Sequence, residues 1–274
     1  MAGGYIGNPG PATIPSSPGV WPIDEVYSNV KDGVWPSGFD VFGGTITQYT
    51  NPTGTYRVHT LTSSGTIEYV SLPVPFKPTF TYLLVSAGGG GQNGTTVPPG
   101  AIRGGGAGGA GATRTGPLPT ASAWVGTVTI GTGGPVGGNG GASSVSGIPG
   151  LSIPTPGGGG GSGVVFYKYN FTKTGTGGGS GSPTPFAGAP GSPYPVGSSN
   201  AAGGGGGGDA GAASGATGGI GTAYSITGSS VTYGIGGPAT SPAATTYGNG
   251  GRAGYPSGAT TGRPGVFIVS YRIA

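Results

Sequence analysis

From Phe39 onward the chain alternates apolar with polar positions at period two, and β-branched and aromatic residues fill the apolar side. That alternation predicts strands at 55–62, 66–72 and 79–87, with Ser63-Ser64-Gly65 as a hairpin turn between the first two. It returns at 122–130, 163–172, 223–227, 231–235 and 265–273. The two most apolar runs, Phe80-Thr-Tyr-Leu-Leu-Val85 and Val266-Phe-Ile-Val-Ser-Tyr271, bracket everything between them. They are expected to lie in one sheet and to close the domain end to end.

Before Phe39 the spacing is helical. Ile23, Val26, Tyr27 and Val30 fall on one face of a helix predicted over about 22–32. Pro22 suits its first position, Asp24 and Glu25 favour its positive end, Lys31 favours its negative end, and Gly33 supplies a left-handed stop. So short a helix does not persist alone in water. With Trp21 and Trp35 beside its ends, its apolar face must dock onto something. Residues 1–45 therefore read as a docking segment and 46–274 as a glycine-rich β domain.

Composition changes the picture of what lies between the strands. The chain has 70 Gly and 27 Pro among 274 residues, against ordinary shares of about 7% and about 5%. Such bias usually marks disorder, but disordered chains are poor in aromatic residues and rich in net charge. This one has 14 Tyr, 8 Phe and 3 Trp at a net charge of +4. Glycine tracts stand at 88–91, 104–111, 133–141, 157–163, 175–181, 203–211, 218–221, 234–237 and 248–251, without the strict third-residue phase of collagen. Linkers between every pair of strands would be unusual. A bundle of polyproline-II-like segments, closely packed because Cβ atoms are missing, accounts for them better. In that bundle the pure runs 157–161 and 203–208 are expected at the centre, and 104–111, with Ala107 and Ala110 three apart, nearer an edge. The expected fold is all-β, a β-sandwich-like domain with polyglycine-II-like segments, preceded by the short N-terminal helix.

Charge and chemistry narrow the function. Residues 1–70 hold five of the six acids, whereas 71–274 hold eight bases and one acid, Asp209. The bases lie far apart, so no nucleic-acid stripe forms. Without cysteine there is no disulfide framework or thiolate metal site. The first residues do not read as a signal peptide, and no apolar run is long enough for membrane insertion. One histidine and six acids are a thin supply for acid–base catalysis. His59 alternates with Arg57 and Leu61 and reads as a structural strand residue. G-x-G-x-x-G spacings at 104–109 and 203–208 arise from polyglycine alone, and no Gly-Lys-Ser/Thr exists. No enzyme, metal site or cofactor is expected. What remains is recognition through aromatics, with Tyr167, Tyr169, Phe171, Phe186, Tyr194, Tyr224, Tyr233, Tyr247 and Tyr255 placed between or beside glycine tracts.

Three motifs also occur in order: Thr55-Tyr-Arg-Val-His-Thr-Leu-Thr-Ser-Ser-Gly-Thr66, Tyr82-Leu-Leu-Val-Ser-Ala-Gly-Gly-Gly-Gly91 and Thr127-Val-Thr-Ile-Gly-Thr-Gly-Gly134. The set resembles the glycine-rich domain family of phage virion and tail-fibre proteins. Pro18-Gly-Val-Trp-Pro-Ile-Asp-Glu-Val-Tyr27 looks like a tryptophan-flanked segment of phage structural proteins. The resemblance implies a virion protein made in a host cytoplasm. In it, Trp21, Ile23, Val26, Tyr27, Val30 and Trp35 dock onto other virion proteins, and loops meet a host receptor, protein or glycan. By the same analogy it implies a homotrimer. A capsid or tail decoration protein without receptor binding is the alternative.

Overall fold

The structure, a computed structural model, describes residues 39–71, 78–97, 101–103, 105–120, 122–149, 151–161, 179, 200–201, 206–239, 242–243, 245–254 and 257–273. Regular structure among them is entirely β, without helices. The expected helix over 22–32 and the strand at 163–172 lie outside the described residues.

One open five-stranded sheet runs β1 (Phe39–Phe42), β4 (Gly65–Ser71), β9 (Trp124–Thr129), β10 (Ser143–Ile148), β11 (Leu151–Thr155). A second runs β2 (Thr45–Asn51), β3 (Gly54–Leu61), β15 (Val266–Arg272), β5 (Phe80–Val85), β8 (Thr113–Leu118). Smaller sheets are formed by β12 (Asn200–Ala201), β7 (Ala101–Arg103) and β6 (Thr95–Val97), and by β13 (Thr222–Tyr224) with β14 (Val231–Tyr233). The two apolar runs are antiparallel neighbours, Val266 opposite Val85 and Tyr271 opposite Phe80.

The two large sheets share one core. Ile67, Tyr69, Trp124, Val128, Val145 and Ile148 of the first meet Leu61, Phe80, Tyr82, Leu84, Phe267, Val269 and Tyr271 of the second. Phe80 lies edge-on to Tyr69 at 5.1 Å and to Tyr271 at 5.1 Å between ring centroids, geometry that adds to area burial. Ser63-Ser64-Gly65 is not the expected hairpin. β3 pairs with β2 and β15, β4 pairs with β1 and β9, and the turn carries the chain from one sheet to the other. Period two fixes which residues point inward, and Leu61 and Ile67 do, but it does not say which sheet a strand joins.

The predicted runs do not include β1, β2, β6, β7, β8, β10, β11 or β12. Gly or Pro interrupts the pattern in β8, which reads Thr-Arg-Thr-Gly-Pro-Leu, and in β11, which reads Leu-Ser-Ile-Pro-Thr. Both β8 and β11 are edge strands, where a missing N–H costs no ladder bond.

Past the strand ends the glycine tracts form a bundle. Segment 86–92 continues β5 and lies at its centre. Successive N–H groups donate to different neighbours, returning to each after three residues: Ser86, Gly89 and Gln92 to Ala112, Gly109 and Gly106; Ala87 and Gly90 to Gly141 and Gly138; Gly88 and Gly91 to Arg263 and Thr260. Its carbonyls accept from three further segments: Ala87 and Gly90 from Gly158 and Gly161, Gly88 and Gly91 from Gly134 and Gly137, Gly89 and Gln92 from Gly251 and Gly254. A return after three residues is the repeat of a three-residue-per-turn helix.

The six neighbours also bond to one another in a closed ring. Ala112 donates to Pro156, Gly140 to Gly158, Gly141 to Thr132, Gly262 to Gly134, Arg263 to Asn249, and Gly108 to Gly251. A Cβ at Gly89 would overlap the carbonyl of Gly159, and one at Gly90 that of Pro135. The centre is therefore 86–92 rather than 157–161 or 203–208. Residues 157–161 lie in the ring and 206–208 outside it, bonded to Ala110 and Gly237; the rest of that run is outside the described residues. Nor is 104–111 an edge, because Ala107 and Ala110 are fully buried. Chain continuity decides the order: 86–92 extends an interior strand of the second sheet, so neighbouring strands extend around it.

The transition needs a filler smaller than a hydrocarbon side chain and larger than hydrogen. Ser86, Ser143 and Thr155, fully buried, supply it. The Ser86 hydroxyl bonds to Thr155 and accepts from the Ser143 N–H at 2.9 Å; the Ser143 hydroxyl donates to Val85 O at 3.1 Å and accepts from the Gly131 N–H at 3.0 Å; Thr155 Oγ1 donates to Ser143 O at 2.9 Å.

Candidate functional site

The outer face of the second sheet has two zones. Toward the bundle, Val58, Leu83, Val85, Val266 and Ile268 are covered by Tyr224, Ile226, Val231, Tyr233 and Tyr247. The cover is the β13–β14 hairpin, whose turn is closed by Gly228 N–H to Ser225 O at 3.0 Å. Gly228 has φ +91°, and a Cβ there would press on Tyr49 Cγ at 2.6 Å. Its left-handed backbone and bare Cα let the turn rest on that ring.

Toward the other end the face is open, forming a groove of about 850 Å³, within the usual range for a ligand site of about 300–1,000 Å³. Strand register places Tyr49 on β2, Tyr56 on β3 and Arg272 on β15 side by side. The Tyr49 and Tyr56 rings stack at 5.0 Å and 6°. Thr81, Thr115 and Ser270 lie along the groove, bounded by Tyr224, Ser225 and Ile226.

Asp209, the single acid beyond residue 70, fixes that boundary. Its carboxylate accepts from Thr113 N–H at 3.0 Å, Thr113 Oγ1 at 2.6 Å and Thr222 Oγ1 at 2.9 Å. With its proton given to the carboxylate, the Thr113 hydroxyl accepts from Tyr224 OH at 2.8 Å. Tyr224 thus offers a groove occupant an acceptor oxygen and a ring.

Of the aromatics singled out in the sequence, Tyr224 lines this groove. Tyr233 is 4% exposed and packs beneath the hairpin; burial raises its phenol above its ordinary value of 10.0, so it stays protonated. Tyr247 is half-buried against the same cluster. Trp21, Ile23, Val26, Tyr27, Val30, Trp35, Tyr167, Tyr169, Phe171, Phe186, Tyr194 and Tyr255 lie outside the described residues. Tyr49, Tyr56 and Arg272 went unnoticed as site residues. Alternation does put Tyr56 on the face of Val58, opposite His59, but not beside Arg272 from the far end of the chain.

His59 lies on the other face, fully buried. Nδ1 is 2.8 Å from the Gly43 carbonyl, so it carries the proton, and Nε2 accepts from Tyr271 OH at 3.2 Å. Burial lowers its pKa below 6.5 against the raising effect of that carbonyl. A buried, neutral, doubly bonded imidazole holds the Gly43 turn and offers no proton to solvent. No group of three or more metal-ligating side chains occurs among the described residues.

A sandwich core, a ring of backbone-bonded glycine segments and a groove made of strand side chains define the class, an all-β scaffold stiffened by glycine. The family model for the glycine-rich domain matches residues 62–272, and the chain belongs to that family. A comparison with curated proteins finds no match.

Proposed function

We propose that the chain is a non-enzymatic structural protein of a bacteriophage virion, a tail-fibre or adhesin component that contacts the host surface. One observation carries the reading: the bundle is a rigid platform whose N–H and C=O groups are turned on each other, set beside a groove of recognition-type side chains. That division suits a protein that presents a surface. The order of its glycine-rich motifs, resembling phage virion proteins, supplies the setting. Trp21, Ile23, Val26, Tyr27, Val30 and Trp35 would attach it to other virion proteins, and a homotrimer would be the unit. The test is to find the chain in purified particles by mass spectrometry and to measure whether the isolated protein blocks adsorption to host cells. Absence from the particle overturns the proposal.

One feature favours a second reading, a capsid or tail decoration protein. Strand β2, Thr-Ile-Thr-Gln-Tyr-Thr-Asn, is an edge strand with no charge and no proline, and Ile46 is 53% exposed. Such an edge invites lateral association. Immunogold labelling spread over the head shell would select this reading.

A further inference from the structure

We propose that the groove on the second sheet binds an acidic saccharide, a sugar chain bearing carboxylates. The proposal deepens the host-contact reading and rests on it for its biological setting, though not for its chemistry.

Hydroxyl-bearing residues dominate the lining: Thr79, Thr81, Thr115, Ser225 and Ser270. They stand beside three tyrosines, and Arg272 is the charged residue among them. A sugar ring matches both surfaces. Its axial C–H bonds carry partial positive charge toward the negative face of an aromatic ring, and its hydroxyls exchange hydrogen bonds with threonine and serine. Several groups are already oriented. Tyr224 OH donates to Thr113, leaving its oxygen to accept. Thr115 Oγ1 donates to Tyr82 O at 2.7 Å, so it too accepts from an occupant.

Arg272 selects among saccharides. It is exposed at the groove end beside Tyr56, and its guanidinium carries a fixed positive charge on a planar fork of N–H donors. A carboxylate receives two of them in parallel. A peptide fits less well, because the aliphatic residues among the described lining are Ile226 and Ile273, whereas peptide anchors enter well-packed apolar pockets.

The experiment uses the full chain, labelled with nitrogen-15. Short oligogalacturonides, maltotriose as a neutral counterpart and a glutamate peptide are titrated while amide shifts are followed. The oligogalacturonides are expected to move amides of β2, β3, β15 and the 225–226 turn, and maltotriose to move the same amides with affinity about tenfold weaker. Arg272→Gln should remove that preference. Thr81→Glu, an exposed change placing a like charge in the groove, should abolish oligogalacturonide binding without altering the fold. Val125→Thr, on the other sheet, should change nothing. Silent groove amides with both saccharides, a response to the glutamate peptide alone, or full binding by Thr81→Glu would each overturn the proposal. The two readings fail separately: a chain missing from particles can still bind the sugar, and a virion protein that blocks adsorption can still leave the groove empty.

Discussion

At Val85 the chain is held by side chains on both faces of a sheet; three residues later, at Gly88, the same chain is held by backbone alone. The sandwich spaces its sheets by side chains, about 10 Å apart. The bundle removes those side chains and brings backbones into contact. Strands β5, β8, β9, β10, β11 and β15 all run into it, so one set of elements builds both regions. The energies differ accordingly. Burying a large apolar side chain stabilises by about 1.5–3 kcal/mol. Segment 86–92 gives seven hydrogen bonds and receives six, about 13 kcal/mol at about 1 kcal/mol each. Ordering seven backbones costs about 10 kcal/mol at about 1.5 kcal/mol each. With so small a margin, the bundle depends on the sandwich to deliver its segments already aligned.

The comparison can be broken from either side. Phe80→Ala removes a ring that touches Tyr69, Trp124 and Tyr271. It should destabilise by about 4 kcal/mol in urea unfolding, while Phe80→Leu costs less than half as much. In the bundle the sign of size reverses: Gly90→Ala adds one methyl and should cost about 3 kcal/mol, since the carbonyl of Pro135 has no rotamer with which to yield. Its control is Gly65→Ala at the sandwich corner, where the single neighbour is Leu61 Cδ2 at 3.8 Å; that change should stay within about 0.5 kcal/mol. A Gly90→Ala protein as stable as wild type would refute the close-packed bundle.

At the seam, Ser86→Ala leaves the Ser143 N–H without its acceptor and should cost about 2 kcal/mol. If sandwich and bundle are coupled, both should still unfold in one transition, seen by tyrosine fluorescence and by amide exchange at 86–92. The smallest effect concerns pH. The His59 pKa is lowered in the fold, so between that value and 6.5 the unfolded chain binds the extra proton. The His59 contribution is fully present above pH 6.5 and is lost as pH falls through the folded value. The melting temperature should therefore drop in mildly acidic buffer, and His59→Asn should flatten that slope.

The strands were legible where alternation was clean. Seven of the predicted runs overlap β3, β4, β5, β9, β13, β14 and β15, and the pairing of the two apolar runs followed from their hydrophobicity. The groove was less legible. Tyr224 stands out as an aromatic beside glycines, but Tyr56 reads as an ordinary residue of the strand predicted over 55–62, Tyr49 falls in no predicted strand, and the register alone sets Arg272 in their row.

Sequence alone determined that the chain is all-β over its alternating part, that glycine must bond through its backbone because it has nothing else, and that the single histidine belongs to a strand. Period and composition are local properties, and local sterics and solvation act on them directly. Only the tertiary structure decided which segment is central, which sheet each strand joins and which tyrosines face solvent. Polyglycine segments present the same surface to every neighbour, so nothing in a tract specifies its place. That place comes from the strand to which each tract is tethered, and from the side chains that seat that strand in the sandwich.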